Sequence, residues 1–151
     1  MRSILMVLVI LLVSFTTLQA ADSLAAWTTV GSMEIVVDYG FLRGGIDTAR
    51  VDLVSFGRFV DTDEAINNLD SMGFEPVNIR EFEVFRNQVV HYNNNLIERL
   101  RGERRGFLRI VLLSSQAPLL MDFDGSGESE LFESDLTFWH DEVLFLVKKK
   151  D

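Results

Sequence analysis

The segment from Asp122 to Glu133 (DFDGSGESELFE) carries the most specific pattern of ligand-type side chains in the chain. Its oxygen-bearing side chains recur at the spacing of a helix–loop–helix calcium loop, and a glycine stands at the sixth position, where such a loop turns sharply. Calcium binds hard oxygen ligands of this kind. The spacing therefore predicts a calcium site with the ligands Asp122, Asp124, Ser126, Glu130 and Glu133.

The same segment has a simpler interpretation. Pro118 and a Val/Leu-rich run precede it, which disfavours an entering helix, and Ser129 stands where such loops carry an apolar residue. Asp124–Gly127 has the turn chemistry expected between two apolar strands. The alternative prediction is therefore a β-hairpin with this turn at its tip and no bound metal.

A ring, an imidazole and two carboxylates adjoin at Trp139–Glu142. They could form part of a ligand site or a weak metal site. Asp141 and Glu142 could also be the acidic pair of a hydrolase, which would need a cleft that raises the pKa of one carboxyl group. The alternative is a turn in which Trp139 is packed and the other three residues are solvated. With that alternative, we expect the chain to have no catalytic and no cofactor-binding residue.

His91 and the arginines at 99, 101, 104 and 105 are the remaining candidates. His91 has no acidic residue at helical spacing upstream, and two histidines in the whole chain offer little for a histidine-based metal centre. The arginines could bind an anionic partner or lie in a solvated loop. No Gly-x-Ser-x-Gly motif indicates a serine nucleophile.

Two capped helices in the middle of the chain must position these groups. Asp61 with Glu64, and Asn78 with Glu81, each match a capping box, and Gly73 predicts the end of the first helix. Apolar residues at helical spacing follow each cap: Ala65, Ile66, Leu69 and Met72 in the first helix, and Ile79, Phe82, Phe85 and Val89 in the second. The asparagines at 93–95 predict an interruption, and Leu96–Leu100 a short helical turn.

Strands are predicted on both sides of the helices, at 33–38 and 49–56, and then at 107–113, 119–123, 131–138 and 143–147. Because helices and strands are segregated, the fold class is α+β, with two helices packed on a mainly antiparallel sheet. The predicted core joins helix residues Ile66, Leu69, Ile79, Phe82 and Phe85 to sheet residues Val51, Leu53, Ile110, Leu112, Phe145 and Val147.

The first twenty residues have the layout of a secretory signal: Arg2, an apolar run from Ile4 to Val13, and a small residue at Ala20. The apolar run is shorter than the ~20 residues that cross a bilayer. The predicted organisation is a signal peptide (1–20), a lead-in segment (21–32) and a single α+β domain (33–151). An uncleaved signal segment that anchors the chain is the alternative.

The composition of the chain limits the classes of partner and the cell compartments that we expect. The net charge of −9 disfavours nucleic acid and anionic membrane surfaces. The absence of cysteine excludes disulfides, thiolate metal sites and a cysteine nucleophile. A small exported domain that lacks disulfides fits a bacterial envelope protein, in the periplasm or outside the cell. We expect a protein or glycan partner there, no stable membrane insertion after signal cleavage, and no cofactor other than the calcium considered above.

The segment from Asp63 to Phe82 resembles a family of small uncharacterised bacterial proteins. Their shared core runs Gly-x-x-Pro-Ala-Thr-x-x-Glu-Leu, and this chain has Gly73, Phe74, Pro76, Val77, Asn78, Glu81 and Phe82 in those places. Glu75 replaces the usual Arg, and Val77-Asn78 replaces Ala-Thr. The resemblance implies a C-type-lectin-like fold, whose ligand sites lie on long loops over a small sheet. The lectin calcium residues are not reproduced, so the resemblance implies no sugar-binding role. We expect a non-enzymatic binding or structural domain, with a calcium-dependent binding protein and a hydrolase as alternatives.

Overall fold

The computed structural model describes residues 27–40, 44–91, 95–104, 108–114, 117–123 and 129–151. The predictions for the signal segment (1–20) and the first half of the lead-in (21–26), for Asn93 and Asn94, for Arg105, and for Asp124 and Ser126 lie outside these residues. The described residues form an α+β domain that is mostly sheet. None of the helices in this part of the chain is both long and apolar enough to cross a bilayer.

Helix α1 spans Thr62–Ser71, and its sequence signals act as predicted. The Asp61 side chain accepts a hydrogen bond from the Glu64 backbone N–H at 2.7 Å, which satisfies one of the unpaired donors of the first turn. Gly73 takes a positive φ of 77° just after the helix, a conformation that glycine adopts without steric cost. Both helix boundaries therefore follow from local chemistry.

Helix α2 spans Ile79–His91, and helix α3 spans Asn95–Glu103. The prediction of two helices was wrong by one, since only a short helical turn was expected where α3 stands. Ile97 and Leu100 lie three positions apart and are both buried, so one side of α3 packs on the core. An Arg99–Glu103 ion pair on the exposed side also supports the helix.

The strands are β1 (Thr28–Asp38), β2 (Ile46–Ser55), β3 (Val60–Asp61), β4 (Phe74–Pro76), β5 (Leu108–Leu112), β6 (Leu119–Phe123), β7 (Ser129–Glu133), β8 (Phe138–Trp139) and β9 (Leu144–Lys149). The main sheet has the order β1-β2-β9-β5-β6-β7, and β4 also pairs with β9. Its described strand pairs are antiparallel except for β5 with β9. Strands β3 and β8 form a separate two-stranded sheet.

The central strands β5 and β9 of the main sheet, with the second half of β2, are buried on both faces. Alternate residues of β9 enter different cores: Leu144 and Leu146 lie in one, and Phe145 and Val147 in the other. Helices α2 and α3 cover the first face, whereas α1 and the small β3–β8 sheet cover the second. The two predicted helices, α1 and α2, therefore lie on opposite faces of the sheet.

The predicted core residues are confirmed with two exceptions. Ile79 was wrong, because its side chain is 49% exposed, and Ile66 is only partly buried. Ile79 is the first residue of α2, and at that end of the helix Val77 and Glu81 occupy the buried positions instead. Helical periodicity identifies a face of the helix but not where the sheet beneath it ends.

Strand β1 forms one border of the main sheet, and the helices cover part of that border. Side chains of Arg80, Gln88 and Arg99 donate hydrogen bonds to backbone carbonyls of Asp38, Glu34 and Val30, respectively, at 3.2–3.5 Å. The Glu34 and Asp38 carbonyls are four residues apart in a regular part of the strand, so they point to the same side, whereas Val30 lies at a register shift between Thr29 and Gly31. A Cβ atom at Gly31 would lie 2.5 Å from the Leu96 side chain, so glycine permits α3 to approach β1 closely.

Candidate functional site

The predicted calcium loop connects two strands, not two helices. Strands β6 and β7 pair antiparallel on either side of it, as the hairpin alternative predicts. The Asp122 carboxylate receives two hydrogen bonds from the Arg109 guanidinium, at 2.7 and 2.6 Å. These bonds raise the pKa of Arg109. Asp122 thus has a cationic partner on the neighbouring strand.

The strand register separates the ends of the predicted ligand set. Asp122 lies opposite Glu130, whereas Glu133 lies opposite Leu119. Because side chains alternate along a strand, Asp122 and Glu133 lie on opposite faces of the hairpin. Among the residues that the structure describes, no group of acidic or histidine side chains is arranged to hold a metal. Calcium binding stays a prediction, since Asp124 and Ser126 lie outside those residues.

The segment Trp139–Glu142 has the arrangement that its simpler interpretation predicts, a turn beside a packed tryptophan. Trp139 is buried, and its Nε1–H donates to the Thr62 hydroxyl at 3.0 Å. His140, Asp141 and Glu142 are exposed, and the last two form a turn before β9. The structure does not place Asp141 and Glu142 across a cleft.

The remaining candidates do not converge on a site. Within α3, Arg99 pairs with Glu103 and Arg101 pairs with Glu98, at 3.0 and 2.8 Å. His91 is the last residue of α2. The arginines of α3 are therefore engaged by acidic residues of their own helix.

A polar cluster that the sequence did not predict as a site surrounds Glu81, which is fully buried. Its Oε1 accepts hydrogen bonds from the Tyr39 hydroxyl at 2.6 Å and from Lys148 Nζ at 2.9 Å. Its Oε2 accepts the Asn78 backbone N–H at 2.7 Å and completes a reciprocal capping box. We call Tyr39, Asn78, Glu81 and Lys148 the Glu81 cluster. It ties the end of β1 and the start of α2 to β9.

The cluster holds its carboxylate ionised. Burial by itself would raise the pKa of Glu81, but the hydrogen bonds from Tyr39, Lys148 and Asn78 outweigh it and lower that pKa. Burial and the bond to Glu81 raise the pKa of Tyr39. Burial lowers the pKa of Lys148, but its contacts with Glu81 and Glu75 more than reverse this and raise it.

A cleft of about 370 Å³ opens beside the Glu81 cluster. It lies at the C-terminal end of β9, which pairs with β2 over Asp52–Val54 and with β4 over Phe74–Pro76. Besides Glu81, its lining contains three anionic and three cationic side chains: Asp47, Asp52, Asp151, Arg50, Lys148 and Lys149. With the two signs so closely mixed, the lining favours neither an anion nor a cation.

A second concavity, of about 530 Å³, lies between the first turn of α1 and the link from β7 to β8. We call it the acidic groove. It is lined by four apolar side chains and three carboxylates, namely Ile66, Pro118, Leu136, Phe138, Asp61, Asp63 and Asp135, besides serine and threonine residues. Its described lining contains no lysine, arginine or histidine.

The link that forms one wall of this groove interrupts a predicted strand. One strand was expected over 131–138, but β7 ends at Glu133 and β8 begins at Phe138. The Ser134 N–H donates to the Pro118 carbonyl at 2.9 Å, and the Ser134 hydroxyl accepts the Leu136 N–H at 3.0 Å. The first bond continues the β6–β7 register by one position, but Pro118 has no backbone N–H to return it, so the pairing ends there. The link then leaves the sheet, and Leu136 is exposed.

An exposed aromatic surface adjoins the groove. In the small β3–β8 sheet, Val60 lies opposite Trp139, and both are buried. Because side chains alternate, the neighbouring residues Phe59, Phe138 and His140 lie on the outer side, which we call the aromatic face. The Phe59 and His140 ring centroids are 4.7 Å apart. Phe138 belongs to both the aromatic face and the acidic groove.

Sequence reasoning missed both the Glu81 cluster and the aromatic face. Glu81 was assigned only as a helix cap, and its partners Tyr39 and Lys148 stand 42 and 67 residues away along the chain. A signal for the aromatic face was present, because Phe138 alternates with Trp139 and one of the two had to face outward. The chain matches no protein-family model, no curated protein and no solved structure.

Proposed function

We propose that this chain is an exported, non-enzymatic binding domain that contacts a protein or glycan of the cell envelope through the acidic groove and the aromatic face. The exposure of Phe59 and Phe138, at 61% and 65%, carries the proposal. Contiguous exposed apolar side chains on a folded domain mark interaction sites. Leu136, 47% exposed, extends the same surface into the groove.

The surface rests on a well-fixed platform. Trp139 packs edge-on against Phe145 beneath the aromatic face, with ring centroids 6.2 Å apart. The Thr137 carbonyl accepts the Thr62 N–H at 2.9 Å, which joins the link to the first turn of α1. A surface that is already ordered loses less conformational entropy when a partner binds. This arrangement supports recognition by a preformed site.

The polar groups support a binding role rather than a catalytic one. The Glu81 carboxylate is held by three donors and kept ionised, so it has no proton to donate near neutral pH. Asp141 and Glu142 lie in an exposed turn. General acid–base catalysis needs a group that is placed against substrate with a pKa suited to proton transfer.

The proposal also includes a C-type-lectin-like arrangement and kinship with the small bacterial family. The order of helix, extended Pro76 link, helix and closing strands supports it. In such a fold, ligands bind on long loops above the sheet. The signal-like segment at residues 1–20 supports export.

Photo-crosslinking in the producing organism tests the function. We expect the photoreactive variant Phe138→p-benzoylphenylalanine to give a discrete adduct in the envelope or medium, on a chain that begins near Ala21. The matched control replaces Ile46, which is 72% exposed on β2 and outside the groove. Equal labelling from both positions, or no adduct at Phe138, would refute the binding surface. Unprocessed chain in the cell interior would refute export, and unprocessed chain in the membrane would favour the uncleaved anchor.

A further inference from the structure

We infer that the acidic groove binds a polypeptide segment that presents an aliphatic or aromatic side chain beside a lysine or arginine. The inference rests on the proposed binding surface and specifies the chemistry of its partner. Two properties of the groove carry it: a uniform negative charge and apolar side chains left exposed beside that charge.

The charge comes from Asp61, Asp63 and Asp135. Asp63 and Asp135 are exposed, and one oxygen of Asp61 accepts the Glu64 N–H at the helix cap. Arg58, close by in sequence, is paired with Glu64 at 2.5 Å, and that hydrogen bond raises the pKa of Arg58. The arginine is therefore engaged outside the groove and does not neutralise it.

The start of α1 reduces this negative charge only in part. The N-terminus of a helix carries a partial charge of roughly +0.5. Three carboxylates exceed that value several-fold, so the groove attracts cations. A chain with a net charge of −9 reinforces the preference at longer range.

The apolar side chains decide what kind of cation fits. Ile66, Pro118, Leu136 and Phe138 line the groove together with the carboxylates. A volume of about 530 Å³ can hold one large side chain and the stem of a neighbouring cationic one. A neutral glycan would leave the carboxylates without partners, and an anionic lipid surface or a nucleic acid would be repelled. A basic and apolar peptide uses both properties of the site.

A short synthetic peptide of alternating lysine and phenylalanine is the probe, titrated into the domain and followed by amide chemical shifts. We expect saturable shifts centred on residues 59–66 and 134–140, and weaker binding at high salt because exposed charges are screened. The same peptide with glutamate for lysine, or with serine for phenylalanine, should bind much less. Equal binding of the glutamate peptide would overturn the inference.

Variants locate the interaction. Asp63→Asn with Asp135→Asn should weaken binding roughly three- to tenfold, the range expected for two exposed ion pairs, and Phe138→Ser should abolish it. All three positions are exposed, so the variants should keep the wild-type melting temperature. The matched control, Asp47→Asn with Ile46→Ser, changes an exposed acid and an exposed apolar residue outside the groove and should bind normally.

Two outcomes separate this inference from the function on which it rests. If Phe138 crosslinks to a partner but the lysine–phenylalanine peptide does not bind, the partner chemistry is wrong and the binding surface stands. If neither occurs, both are wrong. Unchanged affinity in the double aspartate variant would also reject the inferred role of charge.

Discussion

At the scale of single residues, Glu81 differs most from what its position in the sequence predicts. An acidic residue at the third position of a helix ordinarily completes a capping box at the surface. Here Oε1, the carboxylate oxygen that takes no part in the capping box, also accepts hydrogen bonds from Tyr39 and Lys148, and the whole side chain is buried. A buried carboxylate is stable only with such partners, so the three side chains depend on one another.

The Glu81 cluster should make the domain sensitive to acid. The pKa of Glu81 is lowered in the folded state, so its contribution to stability is complete above the unfolded pKa, about 4.5, and is lost as the pH falls through the folded value. We expect Glu81→Gln to lower the free energy of unfolding at neutral pH by about 1–3 kcal/mol. Urea unfolding at several pH values measures both effects.

The control for this experiment is Glu98→Gln, which removes an exposed carboxylate from its ion pair with Arg101. It should change stability by less than about 1 kcal/mol and keep the acid dependence of the wild type. The Glu81→Gln variant should lose part of that dependence. Parallel stability–pH curves for Glu81→Gln and the wild type would contradict the assignment.

The calcium prediction is also tested at the scale of single residues. Asp122 already pairs with Arg109, and Glu133 lies on the other face of the hairpin. Calorimetry of the mature domain with Ca²⁺ tests the predicted ligand set, and Asp124→Asn is the informative variant. If the set is correct, millimolar Ca²⁺ should release or absorb heat and raise the melting temperature, and the variant should abolish both. Absence of heat and of a thermal shift in the wild type would remove the prediction.

At the scale of elements, the helices are stabilised mainly by what they bury. Phe82 is fully enclosed between α2 and the sheet, and Ile79 on the same helix is half exposed. We expect Phe82→Ala to cost about 3–5 kcal/mol, because it leaves a cavity in addition to the lost apolar burial. Thermal unfolding followed by circular dichroism measures it. Ile79→Ala is the matched control and should cost under about 1.5 kcal/mol; an unchanged melting temperature for Phe82→Ala would refute the packing.

Local signals predicted the elements well where the chemistry is local. Asp61 and Gly73 bound α1 as expected, and the predicted strand at 119–123 matches β6. They failed where distant contacts decide. Ile97 and Leu100 extend a short turn into α3 because the core receives them. The predicted strand stops after Glu133 because Pro118, which lies opposite Ser134, has no N–H to continue the ladder.

At the scale of the whole molecule, the sequence predicted the α+β class but not the two-sided sheet. Consecutive residues of β9, such as Leu144 and Phe145, point to opposite faces of the sheet and are both apolar, which indicates a strand buried on both faces. Which helix covers which face of the sheet depends on the path of the chain, and hydrophobic periodicity does not predict that path. The candidate binding surface was missed for the same reason: Phe59 and Phe138 are 79 positions apart along the chain and share one side of the small sheet only once β3 and β8 pair.

The covered border of β1 has a consequence for self-association. An uncovered strand edge can template addition of another molecule's strand and begin a fibril. Because Arg80, Gln88 and Arg99 donate hydrogen bonds to backbone carbonyls of β1, an incoming strand would first have to displace three side chains that belong to two helices. Growth of an intermolecular sheet is therefore hindered at the β1 end of the strand order.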